Sequence, residues 1–242
     1  MEGLPADRAA RKRQRARRPA RAERAVTQVP AGRGKRRLVL WRHGQTTWNL
    51  EQRFQGKTDI ELDETGVAQA ERAARLLSGL NPTAIISSPL RRAATTAGSL
   101  ARLTGLAVAY DADLMERDGG EWEGLTATEI RERYPAEHAV WEPPGGETSE
   151  QVAKRVAAAL GRALDGVPSE GVLVVASHGA ALRLGMAEVL GFPEEIWGRL
   201  GGLSNCNWSV LAEGRSGWRL IEHNAGTLPK PVLSDDRTEN GA

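Results

Sequence analysis

Cysteine is almost missing from this chain of 242 residues: there is one, Cys206. A single thiol excludes an internal disulfide and any metal site built on several cysteines. It lies in an apolar, strand-like stretch, which suits a small buried thiol better than a nucleophile. The composition points to the reducing cytoplasm. No apolar run approaches the roughly eighteen residues that a membrane-spanning helix needs. No apolar segment follows the basic N-terminal residues either, so a secretory signal is not expected. H-E-x-x-H, C-x-x-C and G-x-x-x-x-G-K-[ST] are all absent, and two histidines without a close set of carboxylates fall short of a metal-ligand count. Gly32-Arg33-Gly34 precedes the first apolar run instead of following it, which argues against a dinucleotide-binding fold. Neither metal nor cofactor is expected.

Charge is plentiful but unevenly placed. Residues 1–37 hold 13 lysines and arginines against 3 acidic residues, a balance of +10; the other 205 residues hold 20 against 28, a balance of −8. The segment before Leu38 has too few large apolar residues to offset its ordering entropy, so residues 1–35 are expected to be a disordered basic arm. Contact of this arm with nucleic acid or an anionic membrane surface is one reading. An arm without a specific ligand is the simpler one. Residues 226–242 return to proline and charge and are read as a flexible tail, which leaves one domain over 36–225.

Within that domain, apolar runs and helical spacings alternate. Leu38–Trp41 reads as a strand ending at Arg42-His43-Gly44, with a polar loop to about Asp63. Val67, Ala70, Ala74 and Leu77 mark a helix stopped by Asn81-Pro82. Ala84–Ser87 is a second strand, and Pro89 is expected in the first turn of the next helix, which ends before Gly105. Leu106–Tyr110 is a third strand, 116–125 is irregular, and a short helix over 126–134 ends at Pro135. Thr148 and Gln151 have capping-box spacing, and Val152, Val156, Ala159, Leu160 and Ala163 form one face of a helix. Val172–Ala176 is the continuous apolar run of a strand buried on both faces, and a helix follows Ser177-His178-Gly179. Residues 207–212 and 217–222 form a hairpin near Gly214. The expected fold is a single α/β domain, with a mostly parallel central sheet and helices on both faces.

In such sheets ligands bind beyond the carboxyl ends of the strands. Three polar clusters stand there: Arg42-His43-Gly44, Ser87-Ser88 with Arg91-Arg92, and Ser177-His178-Gly179. Each alone has a bland reading, as a hydrogen-bonded structural histidine or a solvated helix face. Together they bring two histidines and two or more arginines to one rim. Arginines there clamp an anion such as phosphate through charge-assisted bonds. A neutral imidazole attacks phosphorus once that charge is offset.

At these residues the chain resembles the histidine phosphatase, or phosphoglycerate mutase-like, superfamily. Arg42-His43-Gly44-Gln45-Thr46-Thr47-Trp48-Asn49 matches its R-H-G-x-[ST]-x-x-N signature. Arg53-Phe54-Gln55-Gly56, Asp59, Leu62 and Thr65-Gly66 continue the match. Ser88-Pro89-Leu90-Arg91-Arg92-Ala93 fits S-x-L-x-R-A and selects Arg92 over Arg91 as the phosphate ligand. Glu116-Arg117 with Gly120-Glu121-Trp122-Glu123-Gly124 fits the acidic segment, and Ser177-His178-Gly179 the late histidine. The resemblance implies that His43 becomes phosphohistidine while Arg42, Arg92 and His178 hold the phosphoryl oxygens. Asn49, Thr46, Gln55, Gly56 and Gly179 complete the phosphate pocket. Glu116 is implied as proton donor to the leaving alcohol and then as base toward water; a surface pair with Arg117 is the competing reading.

The superfamily holds mutases and phosphatases. Between Trp122 and Gly145 the chain has no Arg-Arg pair and no lysine to hold a second phosphate, so the phosphatase branch is the better match, with phosphoglycerate mutase the alternative. A non-catalytic phosphate-sensing module carried by the basic arm is a third reading. Gly201-Gly202-Leu203-Ser204-Asn205, Trp208 and Trp218-Arg219-Leu220 resemble a group that includes glucosyl-3-phosphoglycerate phosphatases. That compound leads the expected substrates; small sugar phosphates, phosphoglycerate and ribazole phosphate stand behind it. Trp48, Phe54, Trp122 and Trp141 are either leaving-group contacts or core. The expected partner is thus a small phosphorylated metabolite in the cytoplasm, and a dimer is compatible with the sequence.

Overall fold

The computed structural model describes residues 35–226. The expected basic arm and C-terminal tail lie outside the described residues. Six strands form one sheet in the order β3-β2-β4-β1-β5-β6. These are β1 (Arg37–Arg42), β2 (Ala84–Ser87), β3 (Val108–Tyr110), β4 (Val172–Ser177), β5 (Trp208–Gly214) and β6 (Gly217–Ala225). The first four run parallel, and the β5–β6 hairpin adds antiparallel at one edge. The helices are α1 (Thr47–Leu50), α2 (Glu64–Ser78), α3 (Arg91–Thr104), α4 (Ala127–Arg133), α5 (Pro135–Val140), α6 (Ser149–Asp165) and α7 (Gly179–Val189).

Strand periodicity sorts the core into two layers. Leu38 and Leu40 of β1, with Leu173 and Val175 of β4, point toward α6 and α7 and meet Val152, Val156, Leu182 and Met186. Val39 and Trp41, with Val174 and Ala176, point the other way, toward Ala70, Ala74 and Leu77 of α2 and Ala97 and Leu100 of α3. Burying each large apolar side chain contributes about 1.5–3 kcal/mol. Every residue of β4 is buried, as a central strand with helices on both faces requires.

Two local expectations are corrected. Pro89 is not in the first turn of α3: the helix starts at Arg91 with Leu90 as N-cap, and the Leu90 amide bonds the Ser88 hydroxyl, 3.3 Å away. The helix expected over 126–134 is α4, which ends at its C-cap Tyr134; Pro135 then opens α5, where its missing N–H costs nothing. The polar loop before Asp63 contains α1, closed by a reciprocal Thr46–Asn49 capping box; asparagine stands where the usual pattern has Glu or Gln. Thr148 and Gln151 form the expected capping box of α6.

Candidate active site

The register of three parallel strands assembles the site. Arg42 lies opposite Ser177 and Ser87 opposite Ala176. The ladder continues one step further, with His43 N–H donating to Ser177 O at 2.9 Å and Ser88 N–H to Ala176 O at 2.9 Å. His43, Ser88 and His178 therefore leave the sheet side by side. The two imidazole centroids are 5.2 Å apart.

Hydrogen bonds set each ring's tautomer. His43 Nδ1 lies 2.7 Å from the carbonyl oxygen of Gly44. A carbonyl only accepts, so Nδ1 carries the proton and Nε2 keeps its lone pair. His178 is the reverse. Arg92 Nε donates to its Nδ1 at 3.1 Å, so the proton sits on Nε2, which faces Ser88 Oγ at 2.8 Å. Both rings are held well below the usual imidazole range, first by desolvation and then by the Arg92 and Arg42 charges. Neutral rings at physiological pH follow.

Arg42 and Arg92 are buried, at 2% and 0% exposure. Two cations out of water at one rim call for an anion. Arg92 is fixed by NH1 to Thr58 O at 2.8 Å and NH2 to Gly56 O at 2.7 Å. Burial lowers its pKa to about 10, so it stays charged at neutral pH. Gly56 adopts φ +52° and a Cβ there would overlap the Glu123 carboxylate; glycine is required on both counts. That carboxylate accepts the N–H groups of Lys57, Thr58 and Gly119 at 2.8, 3.0 and 3.1 Å. Glu123 thereby shapes the loop whose carbonyls aim Arg92. Arg91, by contrast, is exposed and paired with Glu61.

Arg42 NH1 donates to Leu203 O at 2.7 Å, while its Nε is buried without a protein partner, as are Asn49 Nδ2 and Gln55 Oε1. Buried polar atoms of this kind need a partner from elsewhere. Thr46 acts on Asn49, its hydroxyl donating to Asn49 Oδ1 at 3.1 Å.

Glu116 is half-buried, with its carboxylate at the start of α7. It accepts the N–H groups of Arg117, Ala181 and Ala180 at 2.8, 2.9 and 3.2 Å. Gly179, the first residue of α7, is buried beside it. The Arg117 guanidinium reaches the carbonyls of Glu147 and Trp141 at 2.7 and 2.9 Å. Arg155 of α6 binds the carbonyls of Asp113, Met115 and Glu116 at 2.7, 2.7 and 3.0 Å, and both oxygens of Glu147 at 2.8 Å. Desolvation pushes the Glu147 carboxyl up, but the bonds from Arg155 and Asp118 N–H outweigh it and leave it lowered. Arg155 and Glu147 thus tether the strap carrying Glu116.

Sequence reasoning assigned no site role to Glu123, Arg155, Glu147 or Asn205. Glu123 and Asn205 stand inside the quoted motifs, but a motif match says nothing of what they touch. Trp122 is fully buried and packs on Phe54 and Trp141, with centroids 5.9 and 5.0 Å away. Cys206 is buried, in a turn with φ +56° before β5, and burial pushes its thiol up. Among the described residues no group of three or more His, Cys, Asp or Glu is placed to hold a metal ion, and no helix is long and apolar enough to cross a membrane.

An imidazole lone pair beside two buried guanidiniums, at the carboxyl edge of a parallel sheet, defines an α/β enzyme for phosphoryl transfer. Residues 38–226 match the model of the histidine phosphatase superfamily, branch 1, and the chain belongs to that family. It is 38% identical over 190 residues to a glucosyl-3-phosphoglycerate phosphatase of Mycobacterium tuberculosis, covering 73% of this chain and 85% of the relative. A protein of the same name from Mycolicibacterium vanbaalenii is 36% identical over 213 residues, covering 78% and 95%. A solved mycobacterial glucosyl-3-phosphoglycerate phosphatase complexed with VO3 superposes with a TM-score of 0.75 at 38% identity, covering 79% of this chain and all of that one. The chain is a phosphatase, a hydrolase of phosphate monoesters, and the mutase alternative is the poorer match.

Proposed function

We propose that the enzyme cleaves phosphate monoesters without a metal, through a phosphohistidine on His43. The observation that carries this reading is the pair of opposed tautomers: His43 keeps a lone pair on Nε2, while the neighbouring His178 carries its proton on Nε2, facing Ser88 Oγ. In the first step Nε2 attacks phosphorus, the P–O bond to the alcohol breaks, and Glu116 gives its proton to the departing oxygen. Positive charge spreads over the His43 ring, and the Nδ1–H bond to Gly44 O strengthens to meet it. Arg42, Arg92 and Asn49 Nδ2–H bind the three phosphoryl oxygens, and His178 Nε2–H joins them by turning from Ser88 Oγ, with Gln55 at the margin of the pocket. In the second step Glu116 takes a proton from water, the water oxygen attacks phosphorus, and the P–Nε2 bond breaks to release inorganic phosphate.

The proposed substrate is glucosyl-3-phosphoglycerate, on the strength of two relatives of that name that align over most of this chain. The proposed place of action is the cytoplasm.

Incubation with p-nitrophenyl phosphate, followed by an alkaline quench and peptide mass spectrometry, is expected to find phosphate on His43. His43→Ala is expected to abolish both the adduct and turnover, and EDTA to leave turnover unchanged. Turnover by the alanine variant, or its loss on chelation, would overturn the mechanism. The substrate is tested separately: kcat/KM for glucosyl-3-phosphoglycerate should exceed that for 3-phosphoglycerate and other sugar phosphates by about 100-fold or more. Equal values would overturn the substrate and leave the phosphatase standing.

A further inference from the structure

The segment from Leu203 to Asn207 wraps around the Arg42-His43 strand end. Leu203 O receives the Arg42 guanidinium at 2.7 Å, Cys206 N–H donates to His43 O at 3.1 Å, and Arg42 N–H donates to Asn207 O at 3.0 Å. At its centre is Asn205, buried at 4% exposure. Its Nδ2 lies 3.2 Å from His43 O and 3.1 Å from Asn49 Oδ1. A primary amide has two N–H groups, and both are spent here.

The orientation of both amides follows from their partners. Turning Asn205 over would set its oxygen against two other oxygens. Asn49 Oδ1 in turn accepts from Thr46 N at 3.1 Å, Thr46 Oγ1 at 3.1 Å and Asn205 Nδ2 at 3.1 Å. Three donors on one oxygen leave Asn49 no second orientation. Its Nδ2 is thereby held on the opposite side, buried and with no partner in the protein. Asn205 thus holds the backbone of the proposed nucleophile with one N–H and fixes the direction of an unpaired donor with the other.

We infer that Asn205 is a positioning residue for phosphoryl transfer, acting through the orientation of Asn49 and the His43 carbonyl. It touches no reacting atom. Its effect falls on the transition state, where Asn49 Nδ2–H meets the phosphoryl oxygen, so kcat falls while KM changes little. The inference rests on the phosphohistidine reading above.

A double-mutant cycle tests it. Asn49→Ala, Asn205→Ala and the double variant are assayed with p-nitrophenyl phosphate, and thermal unfolding checks that each is folded. Asn205→Ser, which keeps a small polar group, runs as a parallel cycle should the alanine variant fail to fold. Each single change is expected to lower kcat about 10- to 100-fold with KM within about threefold, the scale of a misplaced catalytic contact. The double variant should be no more than about twofold worse than the poorer single one, because both changes remove the same donor. Multiplying effects, or a folded Asn205 variant with wild-type kcat, would overturn the inference. Absence of turnover or of phospho-His43 in the wild-type enzyme would instead overturn the phosphatase mechanism beneath it.

Discussion

Gly44 and Gly66 touch backbone to backbone. A Cβ on Gly44 would overlap the Gly66 carbonyl, and a Cβ on Gly66 would overlap the Gln45 carbonyl. The first turn of α2 is thus pressed against the loop that follows His43. Asp63, the N-cap of α2, seals the contact by accepting Gly66 N–H at 2.7 Å and Gln45 Nε2–H at 2.9 Å. Gly66→Ala must push two backbones apart and is expected to cost about 2–3 kcal/mol, the scale of overpacking, and to cut kcat as the loop moves. Gly161→Ala is the contrast: Gly161 is an exposed interior residue of α6 whose Cβ would meet nothing within 4 Å. That change should add about 0.5–1 kcal/mol. Urea unfolding of both variants measures the difference.

Arg92 meets three acceptors in three directions: His178 Nδ1, Thr58 O and Gly56 O. Lysine keeps the charge but not the planar fork. Arg92→Lys is therefore expected to lower kcat/KM about 100-fold or more, the loss typical of a displaced transition-state donor. It also removes the bond that fixes the His178 tautomer. Steady-state kinetics against wild type checks this.

Stability should fall between neutral and mildly acid pH. In the folded enzyme both buried imidazoles are held well below the ordinary imidazole value of about 6.5, chiefly by desolvation. Once unfolded, each ring takes up a proton below about pH 6.5. Over that window the unfolded chain binds more protons, so the contribution is complete above pH 6.5 and is lost as the pH drops. Each ring costs about 1.4 kcal/mol per pH unit within it. Unfolding midpoints at pH 7.5, 6.5 and 5.5 should decline, and His178→Gln should make the decline shallower.

For Glu116 the proposed proton transfer has a signature in the leaving group. Glu116→Gln cannot protonate an alkoxide, whereas p-nitrophenolate leaves without help. Its kcat is expected to fall about 100-fold or more for an alkyl phosphate and much less for p-nitrophenyl phosphate. Equal losses would remove Glu116 from the acid role. Burst kinetics with the aryl substrate would show the water step slowed as well.

Much of the scaffold was legible along the chain. The apolar runs at Leu38–Trp41, Ala84–Ser87 and Val172–Ala176 are strands, and the Thr148–Gln151 cap opens α6, because burial and capping are written in neighbouring residues. The misreadings have local causes too. Pro89 stands two positions before α3, outside its first turn, and α1 is a single turn whose cap uses Asn49 in place of a longer side chain. The Leu106–Tyr110 strand begins only at Val108, since β3 is an edge with a single neighbour.

The sequence by itself determined that two histidines and two arginines stand at the carboxyl edge of an α/β sheet, through strand patterning and through Arg42-His43-Gly44 and its companions. Only the tertiary structure decided what those groups are chemically. His178 carries its proton on Nε2 because folding brings Arg92 to its other nitrogen, while His43 keeps a lone pair because its ring is turned onto the adjacent Gly44 carbonyl. Arg92 and His178 are 86 positions apart, and Asn205 and His43 are 162 apart. Local spacing encodes which side chains are buried and where a helix begins. It carries no record of which distant N–H meets which distant acceptor, and in this site that pairing orients Arg42, Arg92 and His178.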